Sequence, residues 1–133
     1  MPEQKSIINP VEIRVIVVDD NRTDREYSTA VLKKIGFREV DMATSGDDAI
    51  SKCAENKYDV IFMDLSMPDI SGYDASMAIR KLGRGSSDSR IVALTSSVCS
   101  AEEVRKCLEK GMSDLIAKPL KEEILKKRML RWR

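Results

Sequence analysis

Five residues could do chemistry together: Asp19, Asp20, Asp64, Thr95 and Lys118. They close short apolar runs. VIVV at 15–18 leads into Asp19-Asp20, VIFM at 60–63 into Asp64, IVAL at 91–94 into Thr95, and LIA at 115–117 into Lys118-Pro119. Any one of them alone reads as a solvated loop residue; their joint placement is what argues for a site. Three carboxylates brought close repel and raise one another's pKa unless a cation sits among them. Oxygen ligands without histidine or paired cysteine suit a hard divalent ion, and Mg²⁺ is the expected one, with Mn²⁺ as a substitute. The ammonium of Lys118 and the hydroxyl of Thr95 both suit phosphoryl oxygens. The sequence has no GxxxxGK[ST] run and no GxGxxG, so neither a nucleotide-hydrolysing P-loop nor a dinucleotide site is expected. The economical chemistry left is one in which a carboxylate is itself the phosphoryl acceptor and forms an acyl phosphate. Asp64 is the candidate, because it follows the central apolar run.

Absences narrow the class further. The chain has no histidine, which removes Ser-His-Asp and Cys-His nucleophile systems and histidine-containing zinc sites. Its three cysteines, Cys53, Cys99 and Cys107, show no CxxC spacing; reduced thiols and a cytoplasmic location are expected. The opening MPEQKSIINP lacks the apolar region of a signal peptide, and no run approaches the about 20 apolar residues of a membrane span. With 23 Lys and Arg against 22 Asp and Glu, the net charge is +1. Neither direct nucleic-acid binding nor membrane contact is expected of this domain.

The elements that must position these residues alternate. At 133 residues, 42% hydrophobic and 34% charged, the chain has the size of one domain with its own core. Tyr27, Val31 and Ile35 recur at helical spacing within 22–35, and Gly36 stops that helix. Val40 and Met42 alternate with polar residues, as in a more exposed strand. Ser45 or Gly46 starts a second helix, with Ala49, Ile50, Cys53 and Ala54 apolar. Helices are predicted over 71–82 (Ala75, Ala78, Ile79, Leu82), over 100–110 with Val104, Cys107 and Leu108 inward, and over 121–131; residues 83–89 are a loop. Five strands alternating with five helices mean an α/β fold with a doubly wound parallel sheet covered on both faces. Residues 1–12 read as a polar leader or linker. Tyr27 and Phe37 are expected to pack, Tyr58 to cap the second helix region, Tyr73 to be partly exposed and Cys107 to be core. Residues 118–133 carry seven Lys or Arg against two Glu, either a solvated final helix or a partner-docking face.

Four segments together resemble the receiver domain of two-component response regulators. They are VVDDN at 17–21, IFMDLSMPDISGYD at 61–74, ALTS at 93–96 and GMSDLIAKP at 111–119. The resemblance covers about Ile13 to Arg128, and the receiver domain is placed at 13–131 with no output domain in this chain. It implies a flavodoxin-like (βα)5 fold with strand order 2-1-3-4-5. It implies that Asp64 accepts a phosphoryl group from a phosphohistidine on a histidine kinase or histidine phosphotransfer protein. Asp20, Asp64 and the backbone carbonyl of Ser66 would bind Mg²⁺, with Asp19 orienting a metal-bound water or joining the shell. Lys118 would pair with the phosphoryl oxygens, Thr95 would hydrogen-bond to one of them, and Pro119 would be cis.

Phosphorylation would bias the face formed by helix 4, strand 5 and helix 5, where a downstream protein could dock. Many relatives have an aromatic residue where this chain has Leu115, so switching would work by another packing change. Ser66 and Ser97, two positions after Asp64 and Thr95, would line the approach of water. Such a domain phosphorylates itself from a donor and is not a turnover enzyme; a hybrid sensor kinase is one expected parent. Two alternatives stay open: an Mg²⁺-dependent phosphatase working through an aspartyl phosphate, for which DxD is expected after the first strand, and a non-switching binding module.

Overall fold

Strands that are apolar at nearly every position must be covered on both faces. In the computed structural model, which describes residues 9–132, they are. β1 (Arg14–Val18), β2 (Glu39–Ala43), β3 (Val60–Asp64), β4 (Arg90–Thr95) and β5 (Asp114–Ala117) form one parallel sheet in the order β2-β1-β3-β4-β5. They alternate with α1 (Arg22–Ile35), α2 (Gly46–Glu55), α3 (Gly72–Arg80), α4 (Ala101–Glu109) and α5 (Glu122–Met129). This is the expected doubly wound, flavodoxin-like arrangement.

Alternation along the strands sorts the core into two layers. Ile16, Ile61, Ile91 and Leu115 pack with Ala49, Ala75 and Cys107 of α2, α3 and α4. Val17, Phe62, Val92 and Ile116 pack with Leu32, Leu125 and Met129 of α1 and α5. Helix starts are set locally. Asn21, Ser45, Ser71 and Ser100 each accept a hydrogen bond from the amide three residues on, at Asp24, Asp48, Asp74 and Glu103. The acidic residue there also suits the positive end of the helix dipole. Gly36 ends α1 at a φ of 127° and donates its amide to the Leu32 carbonyl.

Several expectations are corrected. Tyr27 does not pack inward; it is 49% exposed. Val31 and Ile35 of the expected stripe do pack, partly buried, against the core, while the fully buried residues of α1 are Ser28, Thr29 and Leu32, so the packed face is centred beside the 27-31-35 row and leaves Tyr27 out. Val104 and Leu108 are exposed, and Cys107 alone of the three is buried; α4 meets the sheet along a narrow line. Tyr58 is not a helix cap. It is buried and donates its hydroxyl to Asp41 at 2.6 Å, while the Arg14 guanidinium lies 5.1 Å from its ring centroid.

The 83–89 loop is packed rather than loose: the buried Ser86 hydroxyl accepts from the Tyr58 amide at 2.8 Å and donates to the Asn56 carbonyl at 2.6 Å. Residues 1–8 of the expected leader lie outside the described residues, and Pro10–Glu12 form one turn of 3-10 helix. Among the described residues, no helix is long and apolar enough to cross a membrane. Phe37 and Cys107 are buried, and Tyr73 is half-buried, as expected.

The segment after β3 turns back tightly. Gly72 donates its amide to the Leu65 carbonyl at 3.0 Å. A Cβ at Gly72 would overlap the Asp64 carbonyl oxygen and come within 2.9 Å of Leu65 Cα. Both are backbone atoms, which cannot swing aside. Gly72→Ala should therefore destabilise the protein by about 1–3 kcal/mol, read as a lower urea midpoint; an unchanged midpoint would contradict this close approach.

Candidate active site

Strand order reverses between β1 and β3, and in open parallel sheets ligands bind beyond the carboxyl ends at such a point. β1 delivers Asp19 and Asp20 there, and β3 delivers Asp64. Asp19 is fully buried, Asp64 is 5% exposed and Asp20 is exposed. One oxygen from each of the three lies within 4.8 Å of the others.

The backbone and one lysine hold this cluster. Asp19 Oδ1 accepts from the Asn21 amide at 3.0 Å, and Arg25 Nη1 donates to the Asp19 carbonyl at 2.8 Å. Lys118 Nζ lies 2.8 Å from Asp19 Oδ2, 3.3 Å from Asp64 Oδ1 and 3.3 Å from Asp24 Oδ2. Asp19 Oδ2 is buried with the Lys118 ammonium as its ion-pair partner, and its remaining lone pair can face a cation. Asp64 Oδ1 also accepts from the Ser66 amide at 3.3 Å.

The charges are unbalanced, and the pKa values show it. Burial, then the Asp19 charge, push the Asp64 carboxyl up to about 6, against the opposing pull of Lys118. For Lys118, burial works to lower the pKa; the contact with Asp19 and the charges of Asp64 and Asp19 outweigh it, and the net direction is upward. Ionised, the three clustered carboxylates carry three negative charges against the one positive charge of Lys118. Lys118 is shared with Asp24 as well, so the cluster keeps an excess of negative charge that a divalent cation would offset. Oxygen donors with a free lone pair at Asp19 Oδ2 fit Mg²⁺. Asp19, Asp20 and Asp64 would hold it, and its chemistry would be charge neutralisation at the acceptor.

The remaining expected residues surround this centre. Thr95, buried at the end of β4, accepts from the Ser97 amide at 3.1 Å through Oγ1. Its carbonyl accepts from the Lys118 amide at 2.7 Å. The Lys118-Pro119 peptide is cis. Ser66 and Ser97 are exposed in the loops after β3 and β4, and Leu115 is buried in the layer shared with α3 and α4. The loop carrying Ser66 is anchored further along. Asp69 accepts from the Gly46 and Asp47 amides at 3.2 and 2.9 Å, and the Asp47 amide bond chiefly holds its carboxyl below the usual range.

Asp24 and Arg25 were not singled out by sequence reasoning. Asn21 followed three residues later by Asp24 marks a helix start, but nothing local points Asp24 at a lysine 94 residues away. A second cleft, of about 550 Å³, opens at the opposite, amino edge of the strands beside Asp59 and Arg90. It holds none of the expected site residues, and the Arg80 guanidinium on its wall is bonded to the Gly111 and Ser87 carbonyls.

Residues 15–130 match the response regulator receiver domain family, and the chain belongs to that family. It is 38% identical over 123 residues to hybrid signal transduction histidine kinase L of Dictyostelium discoideum, covering 86% of this chain and 7% of that kinase. The chain thus spans a small fraction of that relative's length. The receiver domain of the histidine kinase CKI1 from Arabidopsis thaliana, complexed with Mg²⁺, superposes with a TM-score of 0.78 at 32% identity, covering 90% of this chain and 92% of that one. The Saccharomyces cerevisiae co-crystal of the histidine phosphotransfer protein Ypd1 with the receiver domain of Ssk1 gives 0.79 at 29% identity, covering 90% and 88%. Receiver domains are phosphoacceptors rather than turnover enzymes, so the phosphatase alternative falls.

The raised Asp64 pKa carries a stability consequence. Its folded value, about 6, lies above the ordinary 3.8. The native state therefore holds an extra proton between these values, and stability is lost as pH rises through that window. In chelator at about pH 7.5, Asp64→Asn should be more stable than the wild type by roughly 1–3 kcal/mol. The gap should close toward pH 4. Equal stability at both pH values would contradict the assigned repulsion.

Proposed function

We propose that Asp64 accepts a phosphoryl group from a phosphohistidine on a histidine kinase or histidine phosphotransfer protein. The observation that carries this is the cluster of Asp19, Asp20 and Asp64 with Lys118 spanning the two buried members. An Asp64 carboxylate oxygen attacks phosphorus as the P–N bond breaks. The electron pair leaves with the imidazole, which takes a proton from solvent, and an acyl phosphate remains. Asp20, Asp64 and the Ser66 carbonyl would hold Mg²⁺, with Asp19 joining the shell or orienting a bound water, and Mn²⁺ could substitute. Lys118 counters charge on the phosphoryl oxygens, and the Thr95 hydroxyl donates to one of them.

Two surfaces suit the partners. Beside Lys118 a hollow of about 190 Å³ is lined by Asp24, the half-exposed Tyr27 and Pro119; an exposed aromatic next to the acceptor suits a docking donor. The Ypd1–Ssk1 complex supports a phosphotransfer partner for a receiver of this fold. On the other flank, Val98, Val104 and Leu108 are exposed on and before α4. They suit a downstream protein on the α4-β5-α5 face, with repacking around Leu115 replacing an aromatic switch. The receiver domain spans residues 13–131, in a cytoplasmic setting, within a hybrid kinase or a separate regulator.

Incubation with acetyl phosphate and Mg²⁺ should add one phosphoryl group, by intact mass. Chelator or Asp64→Asn should abolish it; wild-type labelling in Asp64→Asn would overturn the assignment. Loss of the group should be slow. The short side chains of Ser66 and Ser97 orient an attacking water poorly. Decay over minutes or longer is expected, and Ser66→Asn with Ser97→Glu should speed it. Wild-type decay within seconds, or no acceleration in the double variant, would contradict this role.

A further inference from the structure

Asp24 occupies the third position of α1, where a capping-box acid usually turns back to the cap amide. Here that amide is taken, because Asn21 N donates to Asp19 Oδ1 at 3.0 Å. The Asp24 backbone amide is itself satisfied by the Asn21 side chain at 2.9 Å. Its carboxylate faces across the site instead and meets Lys118 Nζ at 3.3 Å.

An ammonium has three donors. Lys118 has three carboxylates around it, Asp19 at 2.8 Å and Asp24 and Asp64 at 3.3 Å each. A phosphoryl group on Asp64 brings new oxygens that need the same donors. Asp19 is the wrong partner to give up: it is fully buried, and a buried carboxylate stripped of its cation is costly. The Asp24 side chain is 47% exposed, its contact is longer, and water can take over. The hollow between Asp24, Tyr27 and Pro119 gives the carboxylate room to turn away.

We infer that Asp24 is a positioning residue for Lys118: it holds the ammonium toward α1 while Asp64 is free, competes with the phosphoryl oxygens for it, and so restrains phosphoryl capture. This rests on the reading of Asp64 as the acceptor. With acetyl phosphate as donor, a P–O bond forms to Asp64 as the P–O bond to acetate breaks, acetate leaving with the electron pair. Asp24 takes no part in the bonds; it sets where Lys118 waits.

The test is the initial rate of Asp64 phosphorylation by subsaturating acetyl phosphate with Mg²⁺, together with the affinity for beryllofluoride, an unreactive phosphoryl mimic. Asp24→Asn should raise the rate and tighten beryllofluoride binding, each by about two- to fivefold, and Asp24→Ser provides a second charge-free variant. Asp24→Glu, which restores the charge, should lie closer to wild type in both readouts. In a Lys118→Met background, followed over hours, Asp24→Asn should change neither. Unchanged rate and affinity in Asp24→Asn and Asp24→Ser would overturn the inference. So would an equal gain without Lys118, which would mean a general charge effect. If the wild type takes no phosphoryl group, or takes it elsewhere than Asp64, the acceptor reading itself fails; a labelled wild type with inert Asp24 variants defeats only the present inference.

Discussion

Two buried carboxylates, Asp19 and Asp64, stand side by side at the carboxyl edge of the sheet with one lysine between them. Burial and the neighbouring Asp19 charge disfavour the ionised form of Asp64. Lys118 relieves part of this, and the exposed Asp20 at the rim completes a cluster that a divalent cation would balance. The chemistry proposed for Asp64 follows from the same imbalance. A carboxylate kept ionised by borrowed positive charge is a nucleophile, and the charges that keep it so are those a transferred phosphoryl group needs.

The fold sustains this costly arrangement by supplying it from rigid elements. Parallel pairing aligns the carboxyl ends of β1, β3, β4 and β5, and each of those strands is locked by apolar layers on both faces. Lys118 is fixed by its own amide, which donates to the Thr95 carbonyl on the neighbouring strand. The loop after Asp64 is pinned at both ends, by Gly72 against Leu65 and by Asp69 on the start of α2. Farther out, Arg128 on α5 binds Asp114 at 2.6 Å and the Leu115 carbonyl at 2.9 Å. The last helix is thereby tied to the strand that carries the lysine.

Much of this is legible in the sequence because it is local. An apolar run of four followed by a carboxylate places that carboxylate at a strand end without knowledge of the rest of the chain. Asp19, Asp20 and Asp64 are found that way, Thr95 and Lys118 by the same apolar-run-then-polar-residue pattern, and the strand–helix alternation supplies the sheet that gathers them. What escapes is rotation and long-range pairing. On α1, Val31 and Ile35 of the 27-31-35 row pack at the edge of the core and Tyr27 does not, because the packed face is centred on the neighbouring Ser28 and Leu32. Val104 and Leu108 share a helical stripe with Cys107, yet only Cys107 is buried. Tyr58 meets Asp41 across 17 residues, and Asp24 meets Lys118 across 94; no local pattern encodes either contact.

The acceptor assignment is tested most directly by reducing the phosphorylated protein with borohydride, which converts an aspartyl phosphate to homoserine, and mapping the peptides by mass. Homoserine at position 64 alone, and only in samples that contained Mg²⁺, is the expected result. Homoserine at position 19 or 20, or a phosphoryl group that survives reduction on a serine or threonine, would contradict it.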